Sequence, residues 1–261
     1  MNRFLSLYFL LLLFPGLMSV TTAKSQDWEE NAQFGVEIGG AIDVTAQVFR
    51  PTNNQPFMIL TSEKLTSPVL VDLAKKRVFA LKASAVEIEE GGFLKTNGIP
   101  GGKDVGSYVL QGGSTTFKVQ GKSVTMILRQ TLVGDVSQEM ILAHSPDYRL
   151  RMRDYTPKKS AINVLKSYAR DTEVVVMFAT WCATCKLLVP KVMRVFNEAN
   201  NSRFKVHYIG IAMGGNEPAS ALARHGHDYP AVILYQRGKE VDRIIGDPPG
   251  ALENLLVDIL E

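Results

Sequence analysis

Val174-Val175-Val176-Met177-Phe178-Ala179-Thr180-Trp181-Cys182-Ala183-Thr184-Cys185-Lys186 is the stretch on which the fold turns. Its unbroken apolar run reads as a buried strand, Glu173 to Thr180. The run leads straight into a Cys-x-x-Cys pair. Beyond the pair, Leu188, Val192, Val195 and Phe196 recur at helical spacing to about Ala199. Cys182 and Cys185 are the only cysteines among the 261 residues, so they pair with each other or with another molecule. A structural disulfide between them closes a very small loop and removes little unfolded-chain entropy, so that reading is the weaker one. A dithiol at a helix start suits redox work, because backbone N–H groups and the helix dipole favour a thiolate there. Cys182 is therefore assigned as the attacking thiol and Cys185, one turn further in, as the resolving thiol.

On the C-terminal side, Phe204 to Ile211 reads as a strand and Pro218 to His225 as a short helix. Ala231 to Tyr235 and Val241 to Ile245 read as strands joined through Arg237-Gly238-Lys239. Leu252, Leu255, Leu256 and Ile259 mark a closing amphipathic helix. On the N-terminal side, Tyr148 to Arg153 alternates Arg149, Arg151 and Arg153 with Leu150 and Met152. That pattern predicts an edge strand with a charged outer face, the rival being an anion-binding strip. Thr156-Pro157 predicts an N-cap and a proline at the first helical position, opening a helix to about Arg170. Residues 148 to 261 thus read as an α/β domain.

Residues 24 to 147 read as an all-β domain without long helical patterns. Gly40 to Arg50 alternates as a half-buried strand through Ile42, Val44, Ala46 and Val48. Val69 to Leu73 and Arg77 to Leu81 flank a hairpin turn, as do Thr115 to Val119 and Ser123 to Leu128. Gly91-Gly92, Asn97-Gly98, Pro100-Gly101-Gly102 and Gly112-Gly113 are loop signals.

Residues 1 to 23 read as a secretory signal peptide. Asn2-Arg3 is a short positive start, Phe4 to Phe14 is almost wholly apolar, and Pro15-Gly16 breaks the run. Thr21-Thr22-Ala23 offers a cleavage site. An uncleaved anchor is the rival, but the run falls short of the roughly 20 apolar residues a spanning helix needs. Export predicts a periplasmic or extracellular protein, where disulfides persist. The formal charge of +3 is too weak to imply a nucleic-acid partner.

The order β-α-β-α-β-α-β-β-α, with Trp181-Cys182-Ala183-Thr184-Cys185-Lys186 at a strand-to-helix turn, resembles the thioredoxin family. Pro190 lies eight residues after Cys182, where that family carries a kinking proline. Tyr229-Pro230, before Ala231 to Tyr235, is similar to the family's cis-proline loop. The resemblance covers about the last 115 residues. It implies a thioredoxin-like domain, a mixed sheet flanked by helices, and thiol–disulfide exchange on protein substrates.

The resemblance also implies that Trp181 covers the sulfurs and that Tyr229 and Pro230 line the opposite rim, where the Tyr229 backbone meets an extended substrate segment. The alternatives are ordinary packing for Trp181 and a simple loop proline. Lys186 is read as a solvated lysine rather than a source of positive potential. One departure is Val176, which stands where thioredoxins carry a buried acidic proton acceptor. Tyr208 and His207, on the next strand, are the candidates to replace it. Ala183-Thr184 replaces the family's usual Gly-Pro. The oxidase-specific histidine beside the second cysteine is absent, and only 44 residues separate Cys185 from Pro230, too few for an oxidase insertion.

No cofactor is expected. His225 and His227 would complete a two-Cys, two-His metal site, but their spacing fits loosely, and no metal is predicted. The function expected is an exported oxidoreductase, working as a reductase with a membrane-linked electron donor. The rival from another class is a non-catalytic, chaperone-like binding protein that uses the β domain and a thioredoxin-fold platform.

Overall fold

The computed structural model describes residues 25–89, 92–213 and 223–261. The expected signal segment, Gly91 and most of the expected helix 218–225 lie outside them. Residues 223–225 of that helix are helical.

The first strands are β1 (Ser25–Glu30), β2 (Phe34–Ile38), β3 (Ala41–Ile42), β4 (Gln47–Pro51), β5 (Phe57–Thr61), β6 (Val69–Asp72) and β7 (Arg77–Ala80). They are followed by β8 (Glu87–Glu89), β9 (Phe93–Asn97), β10 (Lys103–Ser107), β11 (Val109–Gln111), β12 (Ser114–Val119) and β13 (Lys122–Leu128). They form an eight-stranded sheet, β10-β7-β6-β5-β4-β1-β9-β8, and a five-stranded sheet, β11-β12-β13-β2-β3. Alternation along the strands builds two cores. Val48, Met58, Leu60, Val69 and Val71 face Phe117, Val124 and Met126 between the sheets. Trp28, Phe49, Ile59, Leu70 and Leu94 fill the other face of the larger sheet. The expected hairpins form as β6–β7 and β12–β13. The expected strand Gly40 to Arg50 is broken in two, because Asp43 Oδ1 accepts from the Thr45 N–H at 3.1 Å and turns the chain between β3 and β4.

The C-terminal region holds β14 (Gly134–Val136), α1 (Gln138–His144), α2 (Pro146–Asp154), α3 (Lys159–Ser167), β15 (Thr172–Phe178) and α4 (Ala183–Ala199). It ends with β16 (Phe204–Gly210), β17 (Ala231–Gln236), β18 (Lys239–Ile245) and α5 (Leu252–Leu260). The third sheet runs β14-β16-β15-β17-β18, with β15 and β16 parallel and the other pairs antiparallel. It is the mixed sheet of a thioredoxin-like fold. α4 makes the crossover that parallel neighbours require. β15 is buried on both faces, which explains its unbroken apolar run. One face packs Val174, Val176 and Phe178 against α4, and the other packs Val175 and Met177 against Ile209, Ile211 and Ile233.

Two expectations fail locally. Tyr148 to Arg153 is not an edge strand but part of α2, with Pro146 at its first helical positions. Tyr148, Met152 and Tyr155 share one helical face against the core, so burial decides against the short alternation. α3 begins at Lys159, not Pro157, and ends at Ser167. Its first turn is capped from a distance: the Lys158 N–H donates to Glu253 Oε1 at 2.7 Å. β14 and α1 precede residue 148, where the sequence places the division between domains, yet β14 pairs with β16. Among the described residues no helix is long and apolar enough to cross a membrane.

Candidate active site

β15 ends at Phe178, and the chain turns through Ala179, Thr180 and Trp181 into α4. Cys182 is the N-cap of α4, and its Sγ accepts the Cys185 N–H at 3.2 Å. Cys185 is fully buried, and its Sγ accepts the Ala179 N–H at 3.3 Å. Both thiols are unbridged, and Cys182 is half-buried. The hydrogen bond from the Cys185 side chain holds the Cys182 thiol below its ordinary value. The backbone N–H groups of Cys185 and Thr184 reinforce this against burial and the charge of Glu29. Burial pushes the Cys185 thiol well up, and the neighbouring Cys182 adds to that. The pair is thus split into one sulfur that ionises readily and one that stays protonated until its partner's charge is removed.

The Tyr229–Pro230 peptide is cis, and Pro230 is buried at the start of β17. Tyr229 meets Trp181 edge to face, with ring centroids 5.4 Å apart. Pro190 lies buried inside α4. The fold therefore brings Trp181, Cys182, Tyr229 and Pro230 to one end of the third sheet.

Residues 157–258 match the family model described as Thioredoxin. Thioredoxin-1 of Saccharomyces cerevisiae is 30% identical over 105 residues, which cover 39% of this chain and 94% of that protein. Thioredoxin of Chlamydia caviae is 33% identical over 87 residues, covering 33% of this chain and 80% of that protein. Thioredoxin-1 of Schizosaccharomyces pombe is 32% identical over 81 residues, covering 31% and 73%. The chain belongs to the thioredoxin family. Thiol–disulfide oxidoreductase chemistry in general comes with that membership, and residues 25–156 lie outside the family-model match.

Within this thioredoxin-like frame, several side chains differ from their sequence reading. Lys186 is not solvated: it is 6% exposed and its Nζ lies 3.2 Å from Glu30 Oε1 of β1. Lys186 also donates to the Ala46 carbonyl at 3.3 Å. Tyr208 is buried opposite Val176, but Glu139 is the charge that bears on it, and His207 is exposed. His225 is buried with its Nδ1 3.0 Å from the Tyr235 hydroxyl, while His227 is exposed. Among the described residues no three His, Cys, Asp or Glu side chains group to hold a metal.

The β region sits directly against the dithiol loop. The Ala32 N–H donates to the Trp181 carbonyl at 3.2 Å. Gly92 approaches Ala183 so closely that a Cβ there would lie 2.8 Å from the Ala183 Cβ. Sequence reasoning missed this contact, because it is made by residues about 90 and 150 positions before the cysteines. It missed Tyr148 as well, which is buried in the same cluster as Cys185.

Proposed function

We propose that this protein is an exported thiol–disulfide oxidoreductase that exchanges disulfides with protein substrates through Cys182 and Cys185. The observation carrying the proposal is the asymmetric pair: a half-buried, ionisable Cys182 capping α4 and a buried, protonated Cys185 beside it. Cys182 attacks a substrate disulfide and forms a mixed disulfide; Cys185 then attacks the Cys182 sulfur and releases the substrate thiol. Trp181, with Tyr229 against its ring and Pro230 next in the chain, is assigned to the substrate rim beside Cys182. Export rests on the positive start and apolar run of residues 2 to 14.

The favoured direction is reduction, since the histidine of the oxidases is absent beside Cys185. A reductase outside the cytosol draws electrons from a membrane-linked donor. The chain is built as a β domain followed by a thioredoxin-like domain, with the junction between β13 and β14, because β14 pairs into the third sheet.

The test is the reduction potential of the Cys182–Cys185 couple, equilibrated in thiol buffers on the mature chain. A value near about −270 mV supports a reductase, and one near about −120 mV makes the protein a disulfide donor. A pair that neither oxidises reversibly nor turns over insulin favours the binding-protein reading.

A further inference from the structure

Where the chain leaves β1, residues 30 to 32 hold the dithiol loop at both of its ends. Immediately before Cys182, the Trp181 carbonyl accepts the Ala32 N–H at 3.2 Å. Immediately after Cys185, Lys186 donates to Glu30 Oε1 at 3.2 Å and to the Ala46 carbonyl at 3.3 Å. Between these points Gly92 closes on Ala183, with 2.8 Å between an added Cβ and the Ala183 Cβ. The holding segment is itself fixed. The Glu30 N–H donates to the Gly92 carbonyl at 2.7 Å, and the Asn31 N–H donates to the Val48 carbonyl at 2.7 Å. The Gln47 amide donates to Glu30 Oε2 at 2.7 Å. A dithiol closes to a disulfide only when its sulfurs meet, and freezing one backbone residue for that meeting costs about 1–2 kcal/mol. A loop already tied at both ends has less freedom left to lose.

We infer that Glu30 and Ala32 are positioning residues for the redox step: they tie down the loop 181–186 in the reduced chain, so that Cys185 meets the Cys182 sulfur at high effective concentration. The β region thereby makes the chain a stronger reductant than the dithiol loop alone. This rests on the thiol–disulfide reading above. With glutathione disulfide as oxidant the step balances. The Cys182 sulfur bonds to one glutathione sulfur, and the other glutathione leaves as a thiol with the Cys182 proton. The Cys185 sulfur then bonds to the Cys182 sulfur, and the second glutathione leaves with the Cys185 proton. Two electrons pass from the chain to the glutathione disulfide.

The test equilibrates the full chain with glutathione buffers and reads the oxidation constant and the share of glutathione mixed disulfide. Ala32 is the second residue of a turn in which the Phe34 N–H donates to the Asn31 carbonyl at 3.3 Å. Proline suits that position and has no N–H, so Ala32→Pro keeps the turn and deletes the bond to Trp181. Its oxidation constant falls about ten-fold, the scale of one backbone residue set free, which raises the reduction potential by about 30 mV. The mixed disulfide accumulates in step. Lys186→Met combined with Glu30→Gln removes the other tie as a neutral pair and shifts both readings the same way. A merely structural seat lowers Tm in these variants and leaves both readings at their wild-type values. A wild-type constant in a folded Ala32→Pro chain, or a constant that rises, overturns the role of the two residues alone. A wild-type chain that forms no Cys182–Cys185 disulfide at any glutathione ratio overturns the redox reading itself, and the positioning role falls with it.

Discussion

Cys182 and Cys185 sit three positions apart and differ in what surrounds each sulfur. Cys182 Sγ accepts the Cys185 N–H and lies at the open end of a helix, while Cys185 is sealed beneath it. A thiol whose value is depressed keeps its thiolate to lower pH than a free cysteine, whose midpoint is about 8.5. Alkylation of the reduced chain with iodoacetamide is therefore expected at Cys182 alone, with a rate midpoint below that of a free cysteine. Peptide mapping across a pH series reads both features; equal labelling of Cys185 contradicts the asymmetry. This much was legible in the sequence, because a Cys-x-x-Cys pair after a buried strand fixes which sulfur caps the helix. Lys186 was not legible. Its burial depends on Glu30, 156 positions away, and no local pattern shows that partner.

Elements were legible where one period dominated. β15 and α4 carry long runs with a single answer, and their bounds fell within two residues of the reading. α2 was misread because six residues of Arg and apolar alternation satisfy both periods, and only the packing of Tyr148 and Met152 on the core decides between them. The start of α3 was misread because its cap is Glu253 of α5, a tertiary partner. The edge of the third sheet shows the same dependence. Gly210 of β16 faces the strand entry at Leu132 so closely that an added Cβ would lie 2.3 Å from the Leu132 carbonyl oxygen. Backbone must move to admit it. Gly210→Ala is expected to cost about 1–3 kcal/mol of stability, read as a lower urea midpoint with unchanged slope. An unchanged midpoint would mean that β14 shifts freely.

On the scale of the whole molecule, the contact between the β region and the dithiol loop is the least legible feature and the most consequential. It combines the Ala32–Trp181 backbone bond, the close approach of Gly92 to Ala183 and the Glu30–Lys186 pair, whose side chains are 5% and 7% exposed. Glu30 also accepts from Gln47 at 2.7 Å, so the carboxylate is held by both regions. Truncating one partner of such a pair strands a buried charge. Lys186→Met is expected to lose about 3–5 kcal/mol in denaturant unfolding, and adding Glu30→Gln to it recovers part of that loss. A loss under about 1 kcal/mol for Lys186→Met would show that the pair behaves as a solvated surface bridge. The thioredoxin family-model match begins at residue 157, so the seat that covers one side of Ala183 is built by sequence outside it.

The most direct test of the central claim is insulin reduction by the full chain, with dithiothreitol as electron source, compared between wild type and Cys182→Ser. The account predicts turnover by the wild type and its loss in the variant, because the attacking thiolate is gone. An inert wild type, or a Cys182→Ser chain with full activity, would contradict it.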